Sequence, residues 1–144
     1  MSIANIRIAN LSDTKVGVRC DRASKLGNPF YISEEAFRDK NVKAYRAYLH
    51  LVVNTQAQPC NAAQEVSEKF NLEISIFWLR PSRAELIDEL TRVEGLIITQ
   101  SEVTLLCWGP PGRNHCEVLK SYFNYSLDFC IDGKLTVGGS LEKT

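Results

Sequence analysis

An excess of charge of either sign is the first thing missing. Seventeen Lys and Arg stand against 17 Asp and Glu in 144 residues, for a formal net charge of zero. A broad electrostatic grip on nucleic acid or on anionic lipid needs several unbalanced cationic contacts, so that balance argues against both and leaves room for a local basic pocket. Long hydrophobic runs are also missing, and none approaches the roughly 20 apolar residues of a bilayer crossing. Residues 1–7 lack the charged-then-apolar layout of a secretory signal. The five cysteines (Cys20, Cys60, Cys107, Cys116 and Cys130) are odd in number and irregularly spaced, with no C-x-x-C pair. Without an export signal they read as reduced thiols of a cytoplasmic protein. There is no P-loop, no dinucleotide fingerprint, no internal repeat and no low-complexity tract. What is present is the composition of one globular domain, 44% hydrophobic and 24% charged, which is enough to bury a single core.

Residues 3–9 alternate loosely (Ile3, Ile6, Ile8), and residues 16–20 are apolar and rich in valine. They predict two strands around a turn at Ser12, Asp13 and Thr14. A long helix is expected over 33–53, with Ser33 as its cap. Its apolar stripe would be Phe37, Ala44, Tyr45, Tyr48, Leu49 and Val52, and its solvated face Asp39, Lys40, Lys43 and Arg46. Residues 54–62 read as a loop or insertion and 63–70 as a short helix. Residues 72–79 alternate like a strand, with a buried helix as the alternative. Ser82 and Glu85 form a capping box after Pro81, opening a helix that turns Leu86, Ile87, Leu90 and Val93 inward and stops at Gly95. Residues 96–99 would then be a strand or a link.

Residues 103–108 are apolar throughout, as a central parallel strand should be. Asn114 with Glu117 repeats the cap logic and opens a helix carrying Val118, Leu119, Tyr122 and Phe123. A small hairpin around residues 132–134 and a frayed tail over 138–144 complete the chain. Strand and helix in alternation imply one α/β domain over 1–137. Its sheet would be mostly parallel, flanked by helices and Rossmann-like, with an inserted segment near 54–79.

Two loops stand out, each at the carboxyl end of an expected strand, where ligands of such sheets bind. The first is Arg22-Ala23-Ser24-Lys25-Leu26-Gly27-Asn28-Pro29-Phe30. Arg22 and Lys25 would meet phosphate or carboxylate, Ser24 and Asn28 would add neutral hydrogen bonds, and Gly27 would supply a backbone conformation closed to other residues. A plain surface turn needs fewer donors than this. The second runs from Cys107 to His115. Gly109 and Gly112 let the backbone approach a ligand, Arg113 offers a fork of donors, and Asn114 starts a helix whose free N–H groups favour an anion. Trp108 would stack on a base or sugar or close the core.

His115, at a helix start, would be neutral and available as an acid or base; the alternative is a histidine that completes the helix start. His50, on the long helix, reads as an interface or surface residue. Cys107 would be a nucleophile with His115 as its base, or a small buried hydrophobe. Cys107, His115 and Cys116 raise a zinc site, against which stands the absence of a fourth ligand, so no metal is assigned.

The two loops together resemble the DUF4326 family, an uncharacterised bacterial and phage domain. Its members carry R-x-S-K-W-G-N-P-F near the start, which is similar to residues 22–30 here with Leu26 in place of tryptophan. A second motif, R-x-x-x-V-x-x-Y-x-x-(Y/W)-L, is matched by Arg38, Val42, Tyr45, Tyr48 and Leu49. The third, L-x-C-W-C-x-P-x-x-C-H-G-D-V-L, is matched in length and register by residues 105–119. Gly109 and Asn114 replace two of its cysteines, and Cys116 is new beside His115. The resemblance covers residues 16–123, with 54–79 as an addition, and implies a diverged member with altered or lost activity if the family uses those thiols. It implies the fold and the site and carries no reaction.

Two functions fit. One is binding of a small phosphorylated or nucleotide-like ligand, such as a nucleotide or sugar phosphate, at the carboxyl ends of the strands, with or without transfer or hydrolysis by His115. The other is a non-catalytic phage-type protein that sequesters a host factor or small molecule. No membrane and no extended nucleic-acid surface is expected as partner, and whether the protein is an enzyme and which cofactor it takes stay open.

Overall fold

The computed structural model describes residues 5–32, 37–100, 102–108 and 114–131, with side chains to residue 126. Three strands form one parallel sheet: β1 (Asn5–Asn10), β2 (Val18–Arg19) and β3 (Glu102–Cys107). Their order is β1-β3-β2, so the last strand in the chain is the middle one. Ile6 stands beside Val103, Asn10 beside Cys107 and Val18 beside Leu105. Being central, β3 is covered on both sides, and Val103, Leu105, Leu106 and Cys107 are buried.

Four helices are described: α1 (Arg38–Asn54), α2 (Pro59–Phe70), α3 (Arg83–Thr99) and α4 (Cys116–Ile131). The α4 helix packs on β1 and β3, α3 packs on β3, and α1 packs on α2 and α4. The protein is an α/β domain with a small parallel sheet. No described helix is long and apolar enough to cross a membrane.

The α1 stripe holds: Ala44, Tyr45, Tyr48, Leu49 and Val52 are fully buried while Lys43 and Arg46 are exposed. Phe37 departs from it. It precedes the helix, is 39% exposed, and lies under the Lys40 ammonium at 5.6 Å from the ring centre. The expected cap Ser33 lies outside the described residues.

The α2 helix begins at Pro59, four residues before the expected start. Pro59 has no N–H to lose and a φ already set for a first turn, and Ala62, Ala63 and Val66 give the helix its buried side. The α3 capping box is formed: Ser82 Oγ accepts from Glu85 N at 3.1 Å, and a Glu85 carboxylate oxygen accepts from Ser82 N at 2.9 Å.

The α3 helix does not stop at Gly95. It runs on to Thr99 because Ile97 extends the buried stripe of Leu86, Leu90 and Val93 by one more turn. Residues 96–99 are therefore helix, neither strand nor link. A methyl at Gly95 would meet nothing within 4 Å. Gly95→Ala should therefore stabilise the protein by about 0.5–1 kcal/mol, read as a higher urea midpoint at unchanged slope. A lower midpoint would show that the glycine serves packing that the open surface does not reveal.

Residues 72–79 are neither strand nor buried helix. A turn over 75–78 breaks the alternation, with Phe77 N donating to Ser75 Oγ at 3.1 Å and Arg80 at φ 58°. Ile76 and Phe77 are left 81% and 75% exposed, while Trp78 turns inward against Tyr48. The segment is bound to the first loop by Tyr31 N to Glu73 O, Ser75 N to Pro29 O and Leu79 N to Arg22 O, at 2.8–2.9 Å. It braces residues 22–31 from outside.

Candidate functional site

After β2 the chain turns sharply. Ser24 N and Ser24 Oγ both donate to Asp21 O, at 2.8 and 2.7 Å, and Gly27 N donates to Ser24 O at 3.1 Å. The turn is so tight that a methyl on Gly27 would lie 2.5 Å from Asp21 O and 2.8 Å from Arg22 Cα. Glycine is needed there for close approach, and its φ is not in the left-handed region, so the expected reason is corrected. Leu26 is fully buried, and its carbonyl accepts from Tyr45 Oη at 2.8 Å, which anchors the loop to α1.

The loop next straightens around Asn28. Asn28 Oδ1 accepts from Phe30 N at 3.0 Å, and its amide donates a very short bond to Asn41 Oδ1 on α1. Asn41 in turn donates to Phe30 O at 3.2 Å, and Arg22 reaches the same carbonyl at 2.6 Å. Both asparagines are buried, so these bonds satisfy groups that water cannot reach.

The second loop leaves β3 at Trp108, which is 56% exposed, and its described part resumes at Asn114. Asn114 Oδ1 accepts from Cys116 N at 2.9 Å, and its carbonyl accepts from Glu117 N, so it does start α4. Arg113, Gly109 and Gly112 lie outside the described residues.

His115 is buried and joins the two loops: its Nε2 is 2.5 Å from Cys20 O. A carbonyl only accepts, so Nε2 carries the proton and Nδ1 is the basic nitrogen. Burial, helped by the nearby Arg22 charge, lowers its pKa to about 4. At neutral pH the ring is uncharged, packed edge-on to Tyr45 at 4.8 Å.

The two loops and α1 enclose a pocket of about 30 Å³ at the carboxyl ends of β2 and β3, lined by Arg22, Arg38, Asn28, Asn41, Trp108 and His115 among others. Burial first, and then the Arg38 charge, lowers the proton affinity of Arg22, yet a guanidinium stays charged in proteins. Arg22 Nε is buried with no hydrogen-bond partner. Asp21 also borders the pocket, but its carboxylate is held by Arg19 through two bonds of 2.8 and 2.7 Å.

Of the residues singled out in the sequence, Arg22, Asn28, Trp108, Asn114 and His115 line the pocket. Four others do not, Gly27 of the turn among them. Ser24 is spent on the turn. Lys25 is exposed, and its charge bears on Glu85 and Glu89 of α3. Cys107 is buried and its thiol meets Cys116, which in turn meets Cys20. A hydrogen bond from Cys116 favours the Cys107 thiolate, while Cys116 itself is held as the thiol. Cys20, Cys60, Cys107 and Cys116 are free thiols. Among the described residues no cluster of His, Cys, Asp and Glu could hold a metal ion, the Cys107, His115 and Cys116 group included.

The wall missed in the sequence is α1. Arg38, Asn41 and Val42 line the pocket, and Tyr45 follows on the same face. The signal was their spacing of three and four residues, which makes neighbours on a helix. It was obscured because Asp39, Lys40, Lys43 and Arg46 gave the same stretch the look of a solvated surface. His50, by contrast, is on the surface as expected, with Asn54 Nδ2 at 2.7 Å from its Nδ1.

The family described as Domain of unknown function (DUF4326) matches over residues 4–125, most of the chain. No curated protein and no solved structure matches.

Proposed function

The chain belongs to the DUF4326 family, and from that membership and its pocket we propose that it binds a small phosphorylated or nucleotide-like ligand at the carboxyl ends of β2 and β3. One observation carries this reading: Arg22 and Arg38 face a single pocket, and Arg22 has neither a carboxylate partner among the described residues nor a bond for its Nε. Two like charges brought together under partial desolvation raise the energy of the empty pocket, and an anion would lower it. Guanidinium forks suit phosphate oxygens, and the Asn28–Asn41 bond holds the wall that aims them.

His115 serves this site as a neutral hydrogen-bonding group and as the link between the loops. With a pKa of about 4 it holds no imidazolium proton to donate at neutral pH, so binding and not acid catalysis is the role its surroundings support.

Thermal unfolding against a set of nucleotides and sugar phosphates tests the proposal. A ligand at about 100 times its Kd adds about 2.7 kcal/mol, a rise of roughly 5–10 °C for a domain of this size. Arg38→Gln should weaken that ligand at least tenfold, the effect of losing a charge-assisted bond. Lys25→Ala, outside the pocket, should leave the affinity unchanged. If none of these compounds raises the midpoint, the phosphate pocket is wrong. The second function, a non-catalytic interaction protein, would then gain ground from exposed Ile76 and Phe77.

A further inference from the structure

The α1 helix carries two stripes. Ala44, Tyr45, Tyr48, Leu49 and Val52 enter the core. Lys43, Arg46, Ala47, His50 and Leu51, also at spacings of three and four, line a groove against Glu65, Val66 and Lys69 of α2. The groove holds about 480 Å³, within the range of roughly 300–1,000 Å³ common to small-molecule sites. Ala47 and Leu51 are half-buried and Val66 is buried, so the floor is apolar.

Its two ends differ. Residues 55–58 alone join α1 to α2, and the helices pack together, which makes them antiparallel neighbours. Leu51 and His50 therefore stand near that link, and Ala47 and Val66 stand level with each other in the middle. Lys43 and Lys69 stand level at the far end, with Arg46 close by. None of these three cations has an ion pair among the described residues. The acidic lining residue, Glu65, lies nearer the link.

We infer that this groove binds a free medium-chain carboxylate. Its chain lies on Ala47, Leu51 and Val66, and its head sits among Lys43, Arg46 and Lys69. The apolar floor accepts any chain, and the gathered cations select an anionic head. The stems of the same lysines and arginine lengthen the apolar walls beside the chain. A floor of three side chains falls well short of the roughly 1,000 Å² that a specific protein partner buries. No residue lines both this groove and the Arg22 pocket, so the site stands whether or not phosphate binds there.

Residue-resolved NMR titration with octanoate, butanoate, octanol and octylammonium tests the inference. Octanoate should move the amide signals of residues 43–51 and 65–69. It has four methylenes more than butanoate and should bind at least tenfold more tightly, at about twofold for each methylene buried on one side. Octylammonium should bind at least tenfold more weakly than octanoate. Added salt should close that gap and spare the chain-length difference. Lys43→Gln with Lys69→Gln should weaken octanoate by about threefold to tenfold and leave octanol unchanged. Ala47→Leu, which fills the floor, should weaken both, with its ligand-free unfolding midpoint checking that the fold is intact. Equal affinity for octanoate and octylammonium would overturn the selection of an anion. Signals that move only at residues 22–30 and 114–115 would put the carboxylate at Arg22 and overturn the groove. Groove signals that answer to an acidic amphipathic peptide or to protein concentration, and not to octanoate, would overturn it in favour of a protein partner or a second copy.

Discussion

Gly27→Ala should cost about 3 kcal/mol or more. The added carbon would sit 2.5 Å from Asp21 O and 2.8 Å from Arg22 Cα. Both are backbone atoms of the same turn, so no side chain can swing aside to make room. The turn would have to open, and its Asp21 carbonyl is the one that Ser24 bonds twice. Opening it would move Arg22 and pull Leu26 from its buried seat under Tyr45. Thermal unfolding should show a fall of roughly 6–12 °C at this chain length. Ligand affinity should fall with it, because Arg22 is displaced. An unfolding midpoint within 2 °C of the parent would show that the turn is looser than its hydrogen bonds imply. The same substitution at Gly95, on open surface, is expected to act in the opposite direction, so the pair separates the effect of alanine itself from the effect of place.

Acid should weaken the fold through His115 by about 3 kcal/mol between pH 6.5 and pH 4. Burial holds its folded-state pKa at about 4, against 6.5 for an unhindered imidazole. Within that window the unfolded chain binds a proton that the native state refuses, so stability rises with pH. The His115 contribution is complete above pH 6.5 and is lost as pH falls to 4. Glu94 works the other way. Its carboxyl, buried and bonded by Ser126 Oγ at 2.5 Å, has a raised pKa, so the native state takes up its proton first and gains stability on acidification. Asp21 adds to the acid loss at lower pH, since its pairing with Arg19 outweighs the burial that opposes ionisation and leaves its pKa lowered. The measurement is therefore a difference: urea unfolding from pH 4 to 7 for the parent and for His115→Gln. The parent curve should be steeper, and parallel curves would mean that the ring is not buried in its neutral form.

The sheet was legible in the sequence for a simple reason. Val103, Leu105, Leu106 and Cys107 make β3 apolar on both of its faces, as a strand covered on both sides must be. The α1 and α3 helices were legible in their stripes and, for α3, in the Ser82 cap. What failed was punctuation. Gly95 looked like a stop because glycine is common after a helix end, yet Ile97 had an apolar seat waiting and the helix continued into it. Residues 72–79 alternated as a strand does, but alternation records only residue type. Ser75 and Arg80 bend the backbone, and the apolar residues at 76 and 77 end in solvent.

At the site, the two loops were visible as dense groups of donors, and they do share a pocket. The role of each donor was not visible. Ser24, Lys25 and Gly27 look alike on the page as ligand-binding residues, but one ties a turn, one faces α3 and one makes room for backbone. Arg38 and Asn41 were hidden because a helix face becomes a wall only when something packs opposite it, and that depends on strands distant in sequence.

The order β1-β3-β2 carries a consequence for how the molecule comes into being. The two N-terminal strands flank a position that stays vacant until residues 102–107 are made, so neither has a hydrogen-bonded neighbour in the sheet while most of the chain is being synthesised. Joining them closes loops of more than 80 residues, a step that is entropically costly and that favours late, concerted assembly over gradual growth. Before that moment the turn at Asp21 has no β3 to hang from and His115 has no Cys20 carbonyl to meet. The pocket is thus a product of the final docking event, and a nascent chain halted before β3 would hold Arg22 and Arg38 without the scaffold that brings them together.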